Sequence, residues 1–421
     1  MITELNQHVK LHVLPNKKFK TVPILIRFAT PLDHKTSAKR SLLASLLETN
    51  SLNFPTQIEL SKQLADLYGA SFGISVSRKG NEHYLTIALN IINDQLVPNG
   101  LSVLESAVTF LQEIIFNPNI KDHEFDQDTF YREQENLVEY IHSIFDDKQS
   151  HASLSIQQLF FANSLDQQTP SFGSIDDIMQ ETPESIASYY QEMIENDRID
   201  ILVLGDVAEK YVYRCFKDFG FEDRKFPMMQ ELFYYQPFEN IIQQKTETLP
   251  VAQSKLNLAY HCDIYYHDRL YFALLVFNGL FGGFPHSKLF MNVREKHSLA
   301  YYASSSFDSF RGYVTVQTGI DGTNRKKVLK LINEQLKELI LGNVTDEEVE
   351  QTKKMLINQY LLSQDSQHAL LEQAYLRLYF DKANLTEEQW ANEVNAVTIE
   401  DIKEVAEKIK LQAVYFMEGG H

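Results

Sequence analysis

The stretch GLFGGFPHSKLFMNVREKHSLAYYASSSF, residues 279–307, encodes two helical segments and the start of a strand. Gly282 and Gly283 end the first helix, and the recurrence of apolar residues predicts a second helix over 286–297. The predicted core face of this second helix consists of three residues at helical spacing: Leu289, Phe290 and Val293. The polar and apolar alternation that follows predicts a strand, so the order is helix, helix, strand.

The same order of elements occurs twice along the chain. The first half contains, in order, a strand at 22–30, helices at 37–50 and 57–68, strands at 71–77 and 83–90, helices at 100–115 and from near 120, a helix at 182–194 and a strand at 199–206. The second half contains, in order, a strand at 254–262, helices at 269–281 and 286–297, two strands, helices at 325–340 and from 344, a helix at 398–409 and a strand at 412–418. The repeat predicts two homologous domains, 1–222 and 249–421, joined by an ordered linker at 223–248.

Strands grouped as hairpins and followed by helices predict an α+β fold. Each domain is expected to contain a mainly antiparallel sheet with helices packed on one face. The two domains together would form a clam-like half-shell, and its inner surface would be the place for a large ligand.

The composition excludes several classes of function. A formal net charge of −18 over 421 residues argues against nonspecific nucleic-acid binding, which needs clustered Lys and Arg. No apolar run reaches the ~20 residues that cross a bilayer, and the first residues lack a secretory pattern. Cys215 and Cys262 lie far apart, without a C-x-x-C motif. The expected protein is cytoplasmic and has neither a nucleic-acid nor a membrane partner.

Three motifs of enzymes and metal sites are weak or absent in this chain. Gly69, Ser71 and Gly73 match G-x-S-x-G, but a helix precedes and a strand follows, the reverse of a nucleophile elbow, so we interpret them as a turn. None of the 13 histidines belongs to H-E-x-x-H or H-x-x-E-H. The acidic residues of DHEFD, 122–126, are interpreted as a helix start.

Arg294 and Tyr301 have ordinary interpretations when each is taken alone. An arginine at the end of a helix commonly complements the helix dipole, and a tyrosine in a strand commonly belongs to the core. The surrounding pattern nevertheless resembles the pitrilysin/insulinase family of zinc metallopeptidases, the inverzincins, and the resemblance extends over nearly the whole chain. The matching positions are Gly282, Gly283, Ser287, Leu289, Phe290, Val293, Arg294, Glu295, Leu299, Ala300 and Tyr301. In that family the matching Arg and Tyr help to hold the substrate peptide over a zinc site in a different domain.

The resemblance also gives a meaning to LASLLET, residues 43–49. Helical periodicity places Leu42, Leu43, Leu46 and Leu47 on one face and Ser41, Ser45, Glu48 and Thr49 on the other. Catalytic members of the family have H-x-x-E-H here, with two His ligands and a Glu that activates water. In this chain Ser45 and Thr49 occupy the two histidine positions, Glu48 occupies the position of the general base, and Glu133 best matches the third ligand. Because hydroxyls do not replace imidazoles, we predict that the chain binds no catalytic zinc.

The resemblance implies a non-catalytic, substrate-binding subunit of a heterodimeric zinc peptidase that acts on peptides. Zinc is expected in a homologous partner subunit, whereas this chain supplies Arg294 and Tyr301. Without that partner the chain would form a homodimer or remain monomeric. A second hypothesis is a scaffold of the same fold with no role in proteolysis. A third, an enzyme active alone with displaced chemistry, lacks a suitable nucleophile or ligand set.

Overall fold

The computed structural model describes residues 2–100, 102–224 and 231–419, and the chain folds into two compact units. Of the described residues, the first unit contains those within Met1–His142 and Thr169–Leu232, and the second contains Ser143–Gln168 and Phe233–His421. The strands are β1 Ile2–Asn6, β2 Val9–Pro15, β3 Thr21–Pro31, β4 Ser71–Lys79, β5 Glu82–Ile92, β6 Ile120–Lys121, β7 Glu124–Phe125, β8 Arg198–Gly205, β9 Gln243–Leu249, β10 Ser254–His261, β11 Ala300–Asp308, β12 Tyr313–Ile320 and β13 Lys410–Gly419.

The helices lie between groups of these strands in both units. The α-helices are α1 His34–Thr49, α2 Gln57–Asp66, α3 Val103–Phe116, α4 Gln127–Asp146, α5 Lys148–Phe160, α6 Leu165–Gln168, α7 Ile175–Gln180, α8 Pro183–Asn196, α9 Glu209–Phe216, α10 Tyr271–Asn278, α11 Arg325–Ile340, α12 Asp346–Ser363, α13 Gln367–Arg377, α14 Glu387–Ala396 and α15 Ile399–Lys408. Two π-helical segments, Gly279–Gly283 and Phe290–Lys296, lie between α10 and β11. In the described part of the chain, no helix combines the length and the apolar character needed to cross a bilayer.

The first unit contains a six-stranded sheet with the order β1-β2-β8-β3-β5-β4. Its centre is β3, which pairs antiparallel with β5 and β8, so that Ile26 lies between Ile87 and Ile201. Among the described strands of this sheet, β2 and β8 form the one parallel pair. Every residue of β3 from 22 to 29 is buried, as expected for a strand covered on both faces.

The second unit contains a five-stranded sheet with the order β11-β12-β10-β13-β9. Strand for strand it repeats the order β4-β5-β3-β8-β2 of the first sheet, including one parallel pair, here β13 with β9. This repetition confirms the predicted α+β class with mainly antiparallel sheets and helices. Among the described residues of the second unit, no strand corresponds to β1.

Helices cover both faces of the second sheet. Alternate residues of a strand point to opposite faces, and Leu256 and Leu258 belong to a core cluster with α10, α11 and α15, whereas Ala259 belongs to a separate cluster with α5. In that second cluster Ile156 and Phe160 of α5 pack beside Tyr313. The prediction of helices on one face therefore omitted α5.

The division into units differs from the predicted boundaries in two places, the segment 143–168 and the linker, whose described residues belong to the first unit up to Leu232 and to the second from Phe233. Residues 143–168, expected in the first domain, belong to the second unit because α5 packs on its sheet. Part of the predicted linker 223–248 forms β9, and residues 225–230 lie outside the described residues, as does Leu101 of the helix predicted at 100–115.

The acidic stretch 122–126 is a helix start only at its last residue. Its first four residues lie in a small hairpin in which β6 and β7 pair, and Asp122 and His123 have positive φ values of 52° and 68° at the turn. Asp126 directly precedes α4, which begins at Gln127, and its carboxylate accepts a hydrogen bond from the Thr129 N–H at 3.0 Å, as an N-terminal cap does. The other motif behaves as predicted: Tyr68 and Gly69, with φ of 60° and 72°, form the turn that joins α2 to β4.

Candidate functional site

Helix α1 carries the positions that match the zinc motif. The carboxylate of Asp33 caps its N-terminus by accepting a hydrogen bond from the Lys35 N–H at 2.9 Å. The polar face inferred from periodicity is largely wrong, because Ser41 and Thr49 are buried and α1 is enclosed on nearly all sides. Only Glu48 among the residues of that face is exposed.

The hydroxyls of Ser45 and Thr49 both donate hydrogen bonds to carbonyl oxygens of their own helix. The Ser45 hydroxyl reaches the Ser41 oxygen at 3.3 Å, and the Thr49 hydroxyl reaches the Ser45 oxygen at 2.9 Å. Neutral hydroxyls are poor zinc ligands, and these two already have partners. The residues present at these two positions therefore do not fit a catalytic zinc ion, and we derive no step through one.

Glu48 joins α1 to the edge strand β4. Its Oε2 accepts a hydrogen bond from the Ile74 N–H at 3.0 Å, which satisfies one backbone donor of β4. Partial desolvation raises the pKa of the Glu48 carboxyl, and the nearby carboxylate of Glu133 raises it further, against the opposing effect of the Ile74 N–H. Glu133, on α4, accepts hydrogen bonds from Arg132 and Asn136. The carboxylate of Glu133 is therefore close enough to Glu48 for its charge to raise the pKa of Glu48.

Replacing Glu48 by glutamine is expected to stabilise the protein at pH 7. A group with a raised pKa in the folded state contributes its full stability below the pKa of the unfolded chain, and that contribution is lost as the pH rises through the folded pKa. Glu48→Gln removes the charge and keeps an acceptor for Ile74. The gain should be below about 1 kcal/mol, because the side chain is exposed, and it should vanish near pH 4.

Urea unfolding of both proteins from pH 4 to pH 8 measures this difference. Glu135→Gln, on the exposed face of the same helix as Glu133, serves as the control for the chemical change itself. A Glu48→Gln protein that is less stable than wild type at pH 7 would contradict the assigned direction of the pKa.

Arg294 lies in the last turn of the π-helical segment Phe290–Lys296. Its guanidinium carbon lies 4.5 Å from the centre of the Phe290 ring, a cation–π contact between residues one turn apart. Its Nε is 3.6 Å from the Glu295 carboxylate, and 43% of the side chain is exposed. Of the three residues predicted for the core face, Leu289 and Val293 are fully buried, whereas Phe290 is only partly buried because it faces the exposed Arg294.

Tyr301 is not a core residue, because 70% of it is exposed. It lies at the start of the edge strand β11, where pairing with β12 passes from Ala300 opposite Ile320 to Tyr302 opposite Gly319, so Tyr301 occupies a bulge. A bulge changes the direction of a side chain relative to the regular strand. Tyr301 also lines an open cavity of about 610 Å³ within the second unit.

A tight turn connects the elements that carry Arg294 and Tyr301. The Ser298 N–H donates to the Arg294 oxygen at 2.9 Å, and the Leu299 N–H donates to the Val293 oxygen at 3.1 Å. Ser298 has a φ of 50°, which allows the chain to reverse there. Arg294 and Tyr301 therefore lie at opposite ends of a turn that these two hydrogen bonds stabilise. Both side chains are exposed to solvent.

Sequence reasoning did not identify two groups that hold the candidate residues in place. The backbone N–H of Ile74 carries no side-chain signal, so its bond to Glu48 could not be foreseen. Phe290 lies four residues before Arg294, and that spacing on a helix was a usable signal for the contact between the two side chains.

Two comparisons with known proteins indicate the family, and a comparison with solved structures indicates the fold. Residues 180–356 match the family model described as the peptidase M16 inactive domain. The chain is 35% identical over 412 residues to the "Probable inactive metalloprotease YmfF" of Bacillus subtilis, covering 97% of this chain and 95% of that protein. It is also 54% identical, with a TM-score of 0.96, to a conserved protein from Enterococcus faecalis V583 solved by crystallography, covering 100% and 98% of the two chains.

A more distant solved structure shows the same fold. The crystal structure of a peptidase M16 inactive domain from Pseudomonas fluorescens is 16% identical and has a TM-score of 0.80, with 100% of this chain and 98% of that chain covered. Identity to the Bacillus protein over nearly the whole length of both chains exceeds what a shared fold alone requires. The chain therefore belongs to the M16 peptidase family, of the pitrilysin/insulinase type.

Proposed function

We propose that this chain is the substrate-binding subunit of a heterodimeric peptidase and that a homologous subunit supplies the zinc. The observation that carries the proposal is the contrast between the two candidate sites. Ser45 and Thr49 offer only hydroxyls that are bonded within α1, whereas Arg294 and Tyr301 are exposed. The proposed substrate is a peptide, held through its backbone.

Arg294 and Tyr301 have the chemistry that such a role needs. The guanidinium of Arg294 would donate to a peptide carbonyl oxygen, or to the oxyanion that develops when water attacks it, and the hydroxyl of Tyr301 would donate to the same group. In other enzymes, one donor to an oxyanion is worth about 3 kcal/mol. The cation–π contact with Phe290 and the turn at Ser298 limit the movement of these donors.

Loss of either donor is expected to reduce turnover by the assembled complex by about 100-fold, with assembly unchanged. The experiment combines this chain with a zinc-bearing homologous subunit and follows cleavage of a fluorogenic peptide. It compares wild type with Arg294→Ala and Tyr301→Phe. Lys296→Ala is the matched control, because Lys296 is an exposed cation in the same helical segment.

Two further results would decide among the alternatives. Turnover that neither variant changes, in a complex that still assembles, would favour the scaffold hypothesis. Metal analysis should find zinc at one ion per heterodimer and none bound in stoichiometric amount to this chain alone. Stoichiometric zinc on the isolated chain would instead support an enzyme that is active by itself.

A further inference from the structure

Strand β9 ends the second sheet with an open edge. Among the described residues it pairs only with β13, in parallel, and all seven of its residues are exposed or half-buried. The backbone groups on the outer edge of such a strand can pair with another strand.

The first unit shows what covers the equivalent edge. There β2 pairs in parallel with β8, as β9 does with β13, and β1 then adds antiparallel to the outer edge of β2. Glu4 of β1 lies directly opposite Lys10 of β2 in this pair. An antiparallel strand with a matching charge is therefore compatible with this position of the sheet.

We propose that β9 pairs antiparallel with β9 of a second copy of this chain, across a two-fold axis at Thr246. In this register Lys245 of each copy lies opposite Glu247 of the other copy, so the pairing produces two cross-strand ion pairs. Within one chain the Lys245 ammonium is 3.7 Å from the Glu247 carboxylate, so both side chains extend from one face of the strand.

The residues that flank β9 suit the same register. Ile241 and Ile242, which precede the strand, are 64% and 46% exposed. In the antiparallel pair they approach Val251 and Pro250 of the second copy, so apolar groups meet apolar groups at both ends. A lysine on an edge strand usually prevents association, but here each copy offers Glu247 as the opposite charge.

Charge reversal on β9 tests this interface in the purified full-length chain, independently of the proposed peptidase role. Sedimentation in 0.15 M salt should show the wild-type chain as a dimer. Lys245→Glu places two carboxylates opposite each other, and Glu247→Lys places two ammonium groups opposite each other. Because the symmetry changes two pairs at once, each variant should raise the dimer dissociation constant at least about tenfold.

Mixing the two variants gives the most specific readout. A Lys245→Glu chain presents two acidic residues and a Glu247→Lys chain presents two basic residues, so their 1:1 mixture should form a dimer although neither does alone. Lys330→Glu, an exposed lysine on α11, is the control and should remain dimeric. Circular dichroism establishes that the variants are folded, since Glu247 also accepts a hydrogen bond from the Tyr415 hydroxyl.

Three results would overturn the inference. They are a monomeric wild-type chain, single variants that dimerise as tightly as wild type, and a mixture that stays monomeric while both variants are folded. The second of these would place the dimer interface on another surface.

Discussion

Replacing Arg40 by methionine is expected to destabilise the first unit by about 3–5 kcal/mol. The guanidinium of Arg40 is completely buried, and it donates to the Asp197 carboxylate at 2.6 Å, to the Phe28 carbonyl oxygen at 2.7 Å and to the Tyr189 hydroxyl at 3.0 Å. Methionine fills similar space but leaves the carboxylate of Asp197 buried without this ion pair. An uncompensated buried charge is among the largest single losses that a protein shows.

Urea unfolding at pH 7 measures this loss of stability. Two further variants show how much of it comes from the buried ion pair. Lys39→Met, at the neighbouring position of α1, removes a half-buried lysine whose nearest carboxylate is 3.9 Å away, and it should change stability by less than about 1 kcal/mol. The double variant Arg40→Met with Asp197→Leu removes both charges and should regain much of the loss. An Arg40→Met protein as stable as the Lys39→Met control would show that the pair contributes little.

Replacing Gly282 by alanine is expected to destabilise the second unit and to disturb the position of Tyr301. A Cβ at residue 282 would lie 2.5 Å from the backbone nitrogen of Ser305 and 3.0 Å from the Leu289 side chain. Ser305 belongs to β11, the strand that begins at the Tyr301 bulge, so the methyl group can fit only if the helical segment and this strand separate. Overpacking of this kind typically costs about 1–3 kcal/mol.

Thermal unfolding measures the loss of stability, and peptide turnover measures the effect on the position of Tyr301. Gly282→Ala should unfold at a lower temperature than wild type, and the proposed complex containing it should cleave peptide more slowly. Gly73→Ala is the control, because a Cβ there would have its nearest neighbour at 3.9 Å, and this variant should match wild type in stability. If Gly282→Ala left the unfolding temperature unchanged, the helical segment Gly279–Gly283 and strand β11 would have to separate without loss of stability.

Much of the fold could be predicted because its central strands and helices have clear periodicity. The strand predicted at 22–30 is β3, Thr21–Pro31, and the helix predicted at 325–340 is α11 with the same bounds. Strand β9 was not predicted, because its sequence, QQKTETL, is polar and mostly exposed and shows no alternation of apolar residues. Helices were predicted where the two π-helical segments lie, but their π-helical form was not, because it depends on close contacts such as that of Gly282 with β11.

The candidate site could be predicted in part. The sequence pattern indicated which positions to compare, and Ser45, Glu48, Thr49, Glu133, Arg294 and Tyr301 remain the candidate residues. The surroundings of these residues could not be predicted. Thr49 was expected on a polar face and is buried, whereas Tyr301, for which burial is the ordinary expectation, is exposed because a bulge precedes the regular part of β11.

The sequence by itself determined the duplicated order of strands and helices, the family, and the replacement of two imidazoles by hydroxyls. These follow from residue types and spacing, which are local properties of the chain. The tertiary structure alone decided that α5 packs on the second sheet, that Glu48 bonds to the Ile74 N–H beside the charge of Glu133, and that β9 keeps an open edge. The physical reason is that such contacts join residues far apart in the chain, and no local pattern of side chains records which distant surface each one meets.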